Sequence, residues 1–291
     1  PRLVACLRTL SGQQARKKTT IPKLRLWQLI ATPDHPTAND LTEILAAIKR
    51  TEAWKQASAT NERRHSTWIH KAWNYQTRVK NAKELVRGLE AKFQAEGAGK
   101  LFFWHHFDAI GYVPKSWRNV LKALVQKGWI VVASSSNMAN DFAQELENYG
   151  CLISYRRNIG LCLGAYRDFN ILIDTNDNLR SKIKTLVLCN DSVLPLGGTR
   201  PFCLQIDEIS QKLGTSEPKL LGLTDSVQTR AYHIQSYFLA LNAELLNKRI
   251  WSDFWESLDT DGNKDSLIQR GEVGLSQWLI QQDVAVEAMH S

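Results

Sequence analysis

Asn190-Asp191-Ser192 closes a short apolar run, Leu186-Val187-Leu188-Cys189, and sets an amide, a carboxylate and a hydroxyl at one point of the chain. Four other apolar runs end in the same way. Leu101 to Phe107 contains His105 and His106, Trp129 to Ala133 runs into Ser134 to Asn137, Cys151 to Tyr155 into Arg156, Arg157 and Asn158, and Leu220 to Leu223 into Thr224, Asp225 and Ser226. Taken singly, Asn-Asp-Ser is turn chemistry that ends a strand. Five such endings together predict a row of polar groups able to bind and orient a polar ligand.

The elements that must position these groups alternate. Strand-length apolar runs are separated by helical stretches: Ser116 onward, with Trp117, Val120, Leu121, Leu124 and Val125 on one face until Gly128, then Ala139 to Tyr149, Gly164 to Ile173, Phe202 to Leu213, and a long helix over Tyr232 to Leu246. Strands alternating with helices imply crossover connections and a largely parallel sheet, whose carboxyl ends share one rim where ligands collect. The first third differs. Asn39 or Asp40 is placed to cap a helix holding Leu41, Ile44, Leu45 and Ile48, a longer helical stretch runs from about Ser66 to Gln94, and Ala95 to Lys100 resembles a linker. The reading is therefore a basic, mainly helical segment over residues 1–97 and an α/β domain over residues 98–291.

Charge follows the same division. Residues 1–100 carry 19 Lys+Arg against 8 Asp+Glu, a net +11, and residues 101–291 carry 18 against 21, a net −3. The basic third suits an anionic membrane surface, since helices with Trp and Lys/Arg fit an interface; a nucleic-acid partner would rest on charge alone, without a groove-reading motif, and no specific one is expected. No run of about 18 apolar residues predicts a membrane span. The start, PRLVACLRTL, is too short in apolar residues for a signal peptide, and a first residue Pro1 leaves an upstream extension open. Cys6, Cys151, Cys162, Cys189 and Cys203 lack CxxC spacing, which points to a reducing compartment and to thiols used as small hydrophobes.

Arg157-Asn158-Ile159-Gly160 with Gly164-Ala165-Tyr166-Arg167-Asp168, then Asn190-Asp191-Ser192-Val193, Gly222-Leu223-Thr224-Asp225-Ser226 and His233-Ile234-Gln235-Ser236-Tyr237-Phe238 resemble, in order, the motifs of the rhamnan synthesis F family of bacterial polysaccharide glycosyltransferase-like proteins. The resemblance covers about residues 101 to 280. It implies an A-type glycosyltransferase-like, Rossmann-like fold with a nucleotide-sugar donor at the carboxyl rim, and transfer of a sugar such as rhamnose or another deoxyhexose to a glycan or lipid-linked glycan. The expected place is the cytoplasm, peripheral on the inner face of the membrane. Donor contacts would come from Arg157 as a planar fork for the diphosphate, Asn158, Gly160, Gly164, Arg167, Asn190, Asp191 and Ser192. Asp191 would hold a divalent cation, Mg²⁺ or Mn²⁺, against the diphosphate, although the triplet offers one carboxylate rather than two.

For the proton of the acceptor hydroxyl, Asp225 is the first candidate base and Glu272 the second, with His233 contacting acceptor or pyrophosphate and Thr224, Ser226 and Gln235 contacting acceptor. The bland alternatives are a helix cap for Asp225, a structural role for His233, a solvated pair for Arg156 and Arg157, and a surface pair for Arg167 and Asp168. Cys162 departs from the family, which often has an acid there. That departure motivates an alternative: a nucleotide-sugar or glycan-binding protein keeping the fold without the chemistry. Asp259, Asp261, Asn263 and Asp265 invite an EF-hand comparison that fails, because Lys264 and Arg270 stand where the loop needs glycine and a bidentate carboxylate.

Overall fold

The computed structural model describes residues 78–97, 99–195, 197–227, 231–260 and 263–290. The expected helix near Leu41 to Ile48 and the basic surface of residues 1–77 lie outside them.

The chain enters through helix α1 (Ala82–Glu96) and then alternates: β1 (Gly99–His106), α2 (Lys115–Gln126), β2 (Trp129–Ser135), α3 (Asn140–Asn148), β3 (Leu152–Tyr155), α4 (Leu161–Asp174), the single turn α5 (Asp177–Arg180), β4 (Ile183–Asn190), α6 (Thr199–Lys212) and β5 (Lys219–Ser226). Strands β3, β2, β1 and β4 are neighbours in that order and all parallel. Beyond β4 comes one strand of opposite direction, β7 (Phe238–Asn242), and then β5, which again runs with β4. The short β6 (His233–Ile234) pairs antiparallel with the end of β5, and β8 (Ala285–His290) pairs parallel with it. The carboxyl ends of β1 to β5 therefore share one rim, as their polar endings predicted.

Strand alternation splits the core between the two faces. Leu101 and Phe103 of β1 pack on one side with α1 and α4, while Phe102 and Trp104 pack on the other with α2 and α6. Burial on both faces explains why these strands read as continuous apolar runs. Helix α4 is buried almost all round because a second layer covers it: α8 (Arg249–Ser257), which follows the single turn α7 (Ala243–Leu246), sets Trp255 edge-on against Tyr166 and donates the Trp251 Nε1 hydrogen to Asn170 Oδ1 at 2.7 Å. The chain then passes α9 (Lys264–Leu267), one π-helical turn (Ile268–Val273) and α10 (Gly274–Ile280) before β8.

Two expectations need correction. Tyr232 to Leu246 is not a helix: it forms β6, a turn at Ser236 and Tyr237, β7 and the single turn α7. Phe238-Leu239-Ala240-Leu241-Asn242 is buried at every position, inserted between β4 and β5, and so short an apolar run cannot be told from a buried helix by periodicity. Asp225 correspondingly lies inside β5, paired with Ile234, and caps no helix. The core also reaches back to Val79, Leu85, Leu89 and Phe93, so residues 79–96 pack with the sheet.

Candidate functional site

The rim is built by register. Ser154, Ser134, His105 and Asn190 stand side by side across β3, β2, β1 and β4, all buried, on the face that carries α4. Burial, the Arg156 charge and His106 hold the His105 imidazole well below its ordinary pKa, so it is neutral.

At the end of β4 the turn chemistry is real. Asn190 Oδ1 accepts the Ser192 N–H at 2.8 Å. The same turn presents Asp191, whose N–H donates to the His105 carbonyl at 3.1 Å and whose Oδ2 accepts the Phe107 N–H at 3.1 Å. Ser192 is exposed.

Between β3 and α4 the basic pair divides its work. Arg156 is buried, with Nη2 donating to the Ile159 carbonyl at 2.7 Å and to Asp168 Oδ2 at 2.9 Å. Arg157 and Asn158 are exposed, and the Arg157 N–H donates to the Arg78 carbonyl. Gly160 has φ +71°, and a Cβ there would lie 2.6 Å from Thr260 Cβ; one on Gly164 would lie 1.9 Å from the Ile159 carbonyl oxygen. Close packing of the turn on its own helix and on the 258–260 segment thus accounts for both glycines, and protein atoms fill the space that the ligand reading would give to a donor.

The bland alternative of a surface pair for Arg167 and Asp168 fails, because Asp168 is buried. It is 1% exposed and gathers three guanidiniums: Arg156 at 2.9 Å, Arg78 at 3.4 Å and Arg167 at 3.9 Å. Arg78 Nη1 also donates to Thr260 Oγ1, and Arg167 Nη2 to the Glu256 carbonyl. Burial pushes the Asp168 carboxyl up, and Arg156 and Arg78 pull it back. The sequence carried one signal for this cluster: Asp168 lies on the apolar face of α4 with Ala165, Phe169 and Leu172.

The first two turns of α4 bring distant residues together. Burial raises the Cys162 thiol above its ordinary pKa, with Asn190 lowering it and the charges of Asp191 and Glu272 adding to the rise. The Tyr166 phenol, on the same helix face, is held well above its ordinary pKa by burial, and the same two carboxylates contribute. Glu272 arrives on the π-helical turn, a local form frequent at functional sites. Its Oε2 accepts both the N–H and the hydroxyl of Ser236 at 2.6 Å, and its Oε1 lies 3.7 Å from His233 Nε2. His233 is buried, and its Nδ1 donates to the Ala231 carbonyl at 2.9 Å.

Thr224 and Asp225 form a second group at the end of β5. The Thr224 hydroxyl bonds the Tyr237 hydroxyl and the Thr224 carbonyl accepts the Gln235 N–H, while burial raises the pKa of the Tyr232 phenol and the Asp225 carboxylate adds to that rise. Ser226 pairs with His233. Tyr237 joins the two groups, because its carbonyl accepts the Asn190 N–H at 3.1 Å. From β4, β5 lies two strand spacings away, roughly 10 Å, and β3 with Arg157 three on the other side, roughly 14 Å.

Among the described residues no group of three or more His, Cys, Asp and Glu side chains is arranged to hold a metal ion. No helix of the described residues is long and apolar enough to cross a membrane.

Residues 130–288 match the family model described as rhamnan synthesis protein F. A curated relative, "Uncharacterized protein y4gN" of Sinorhizobium fredii (strain NBRC 101917 / NGR234), is 27% identical over 162 residues, which cover 54% of this chain and 40% of that protein. The match thus spans less than half the length of the curated relative.

Proposed function

Because the chain belongs to the rhamnan synthesis protein F family, we propose that it acts in rhamnan polysaccharide synthesis as a glycosyltransferase that moves a deoxyhexose from a nucleotide donor to a growing glycan. The observation that supports this reading is the shared rim at the carboxyl ends of β1 to β5, which presents Asp191 just beyond β4 and Asp225 at the end of β5.

In this reading Asp191 would be the residue that holds a divalent cation, Mg²⁺ or Mn²⁺, through a hard carboxylate oxygen. Such an ion supplies charge stabilisation to the departing diphosphate. The bond from the anomeric carbon to the diphosphate oxygen breaks and its electron pair leaves with the diphosphate. The acceptor hydroxyl oxygen forms the new bond, and Asp225 takes its proton. Glu272, fixed by Ser236 and beside His233, holds the turn before β7 against the site and is the second candidate for the base. Arg157, Asn158 and Arg167 extend the donor surface, and the reaction is cytoplasmic.

A thermal-shift panel of nucleoside-diphosphate sugars, with and without Mn²⁺, tests the reading, since a ligand that binds only the folded protein raises its melting temperature. A shift with a deoxyhexose donor supports it; no shift with any donor opposes it. Cys162, standing where the family often has an acid, favours one rival, a binding protein without turnover. Calorimetric donor binding with no diphosphate released in the presence of acceptor would select that rival.

A further inference from the structure

A cavity of about 10 Å³ lies between the sheet and helix α4, about the space that one water-sized particle needs. Phe103, Phe169 and Leu172 are among its apolar walls, and its polar lining among the described residues is Ser134, Ser154 and Arg156. Register brings these three together. Ser134 is paired with Ser154 across β2 and β3, and Arg156, two residues past Ser154, continues the same face. Arg156 stays in the ladder, since its N–H donates to the Ser135 carbonyl at 3.0 Å. All three side chains belong to residues no more than 2% exposed.

Arg156 donates from Nε and Nη2 to Asp168 and from Nη2 to the Ile159 carbonyl. Its Nη1 is buried with no hydrogen-bond partner among the described residues, and so is the Ser134 hydroxyl. Asp168 does not balance Arg156 alone, because Arg78 at 3.4 Å and Arg167 at 3.9 Å share it. Apolar cavities stay dry, but a buried cationic donor requires an acceptor, and a guanidinium can only donate. A serine hydroxyl can turn its hydrogen toward the same acceptor. A small particle of one negative charge, accepting from both, answers the charge and the two donors together. We propose that Arg156 and Ser134, with Ser154, form an internal site for one halide ion, chloride in a chloride-containing medium, under α4. The ion ties β2 to the Arg156 cluster, a structural role that needs no nucleotide sugar.

Thermal unfolding of the full chain in sodium chloride or bromide, against sodium gluconate at equal ionic strength, tests this. Matched ionic strength keeps screening equal, and gluconate is too large for the cavity. Either halide is expected to raise the melting temperature of wild type, increasingly with its concentration, because it binds only the folded chain. Ser134→Ala, which removes one donor and serves as the control for general salt effects, should need about tenfold more halide for the same rise. Crystals of wild type soaked in bromide should give an anomalous peak between Ser134 and Arg156, a readout that does not depend on the variant folding. A wild type stabilised by halide no more than Ser134→Ala is, or a water rather than bromide at that position, would overturn the proposal.

Discussion

Gly271 packs so closely on Leu163 that a Cβ at position 271 would lie 2.5 Å from Leu163 Cδ1. This contact presses the π-helical turn that carries Glu272 onto the first turn of α4. Leu163 is buried in the core and has little room to yield. Gly271→Ala is therefore expected to cost about 1–3 kcal/mol of stability through overpacking. Denaturant unfolding measures that loss, and a variant as stable as wild type would show that the turn moves freely.

Asp168 is the carboxylate that balances three guanidiniums, two of them nearly fully buried. Removing one partner of a buried ion pair strands the others, at a cost of about 3–5 kcal/mol. Asp168→Asn should lose stability on that scale in urea unfolding, because the amide keeps the shape but not the charge. A loss no larger than that of an exposed pair, such as Asp253→Asn beside Arg249, would contradict the assignment.

His105 gives the pH dependence a sign. Its folded-state pKa is depressed below the ordinary value of 6.5, so the unfolded chain binds a proton that the folded chain refuses. Stability from this group is present above pH 6.5 and is lost as the pH falls below it toward the lowered value. Between pH 7.5 and 5.5 the wild type should lose about 1 kcal/mol more than His105→Gln. Equal losses in chemical denaturation would mean that His105 is not held neutral.

Much of the rim was legible because its strands are buried on both faces and end abruptly in polar residues, which marks both their length and their carboxyl ends. The positions of Asp191 and Asp225 at the ends of β4 and β5 were legible in this way. Strand β7 was not, since Phe238 to Asn242 is apolar on every side and Leu241 and Leu245 also satisfy helical spacing. The Asp168 cluster was missed because Arg78, Arg156 and Asp168 meet only in three dimensions, although a carboxylate on the apolar face of α4 was a visible anomaly. Glu272 was suggested by a faint motif alone. What delivers it, the contact of Gly271 with Leu163, joins segments far apart in sequence and leaves no local pattern. Tyr237 packs against the core on the α2 and α6 face, and its place between Asn190 and Thr224 depended on the strand that periodicity hid.

The central claim is that the Asp191 corner binds an activated sugar. Isothermal titration of nucleoside-diphosphate rhamnose into wild type and Asp191→Ala, both with Mn²⁺, tests it most directly. The account predicts saturable binding to wild type and a loss of at least about tenfold in the variant, whose fold is otherwise retained. Equal affinity in both proteins, or no binding by a folded wild type, would contradict it.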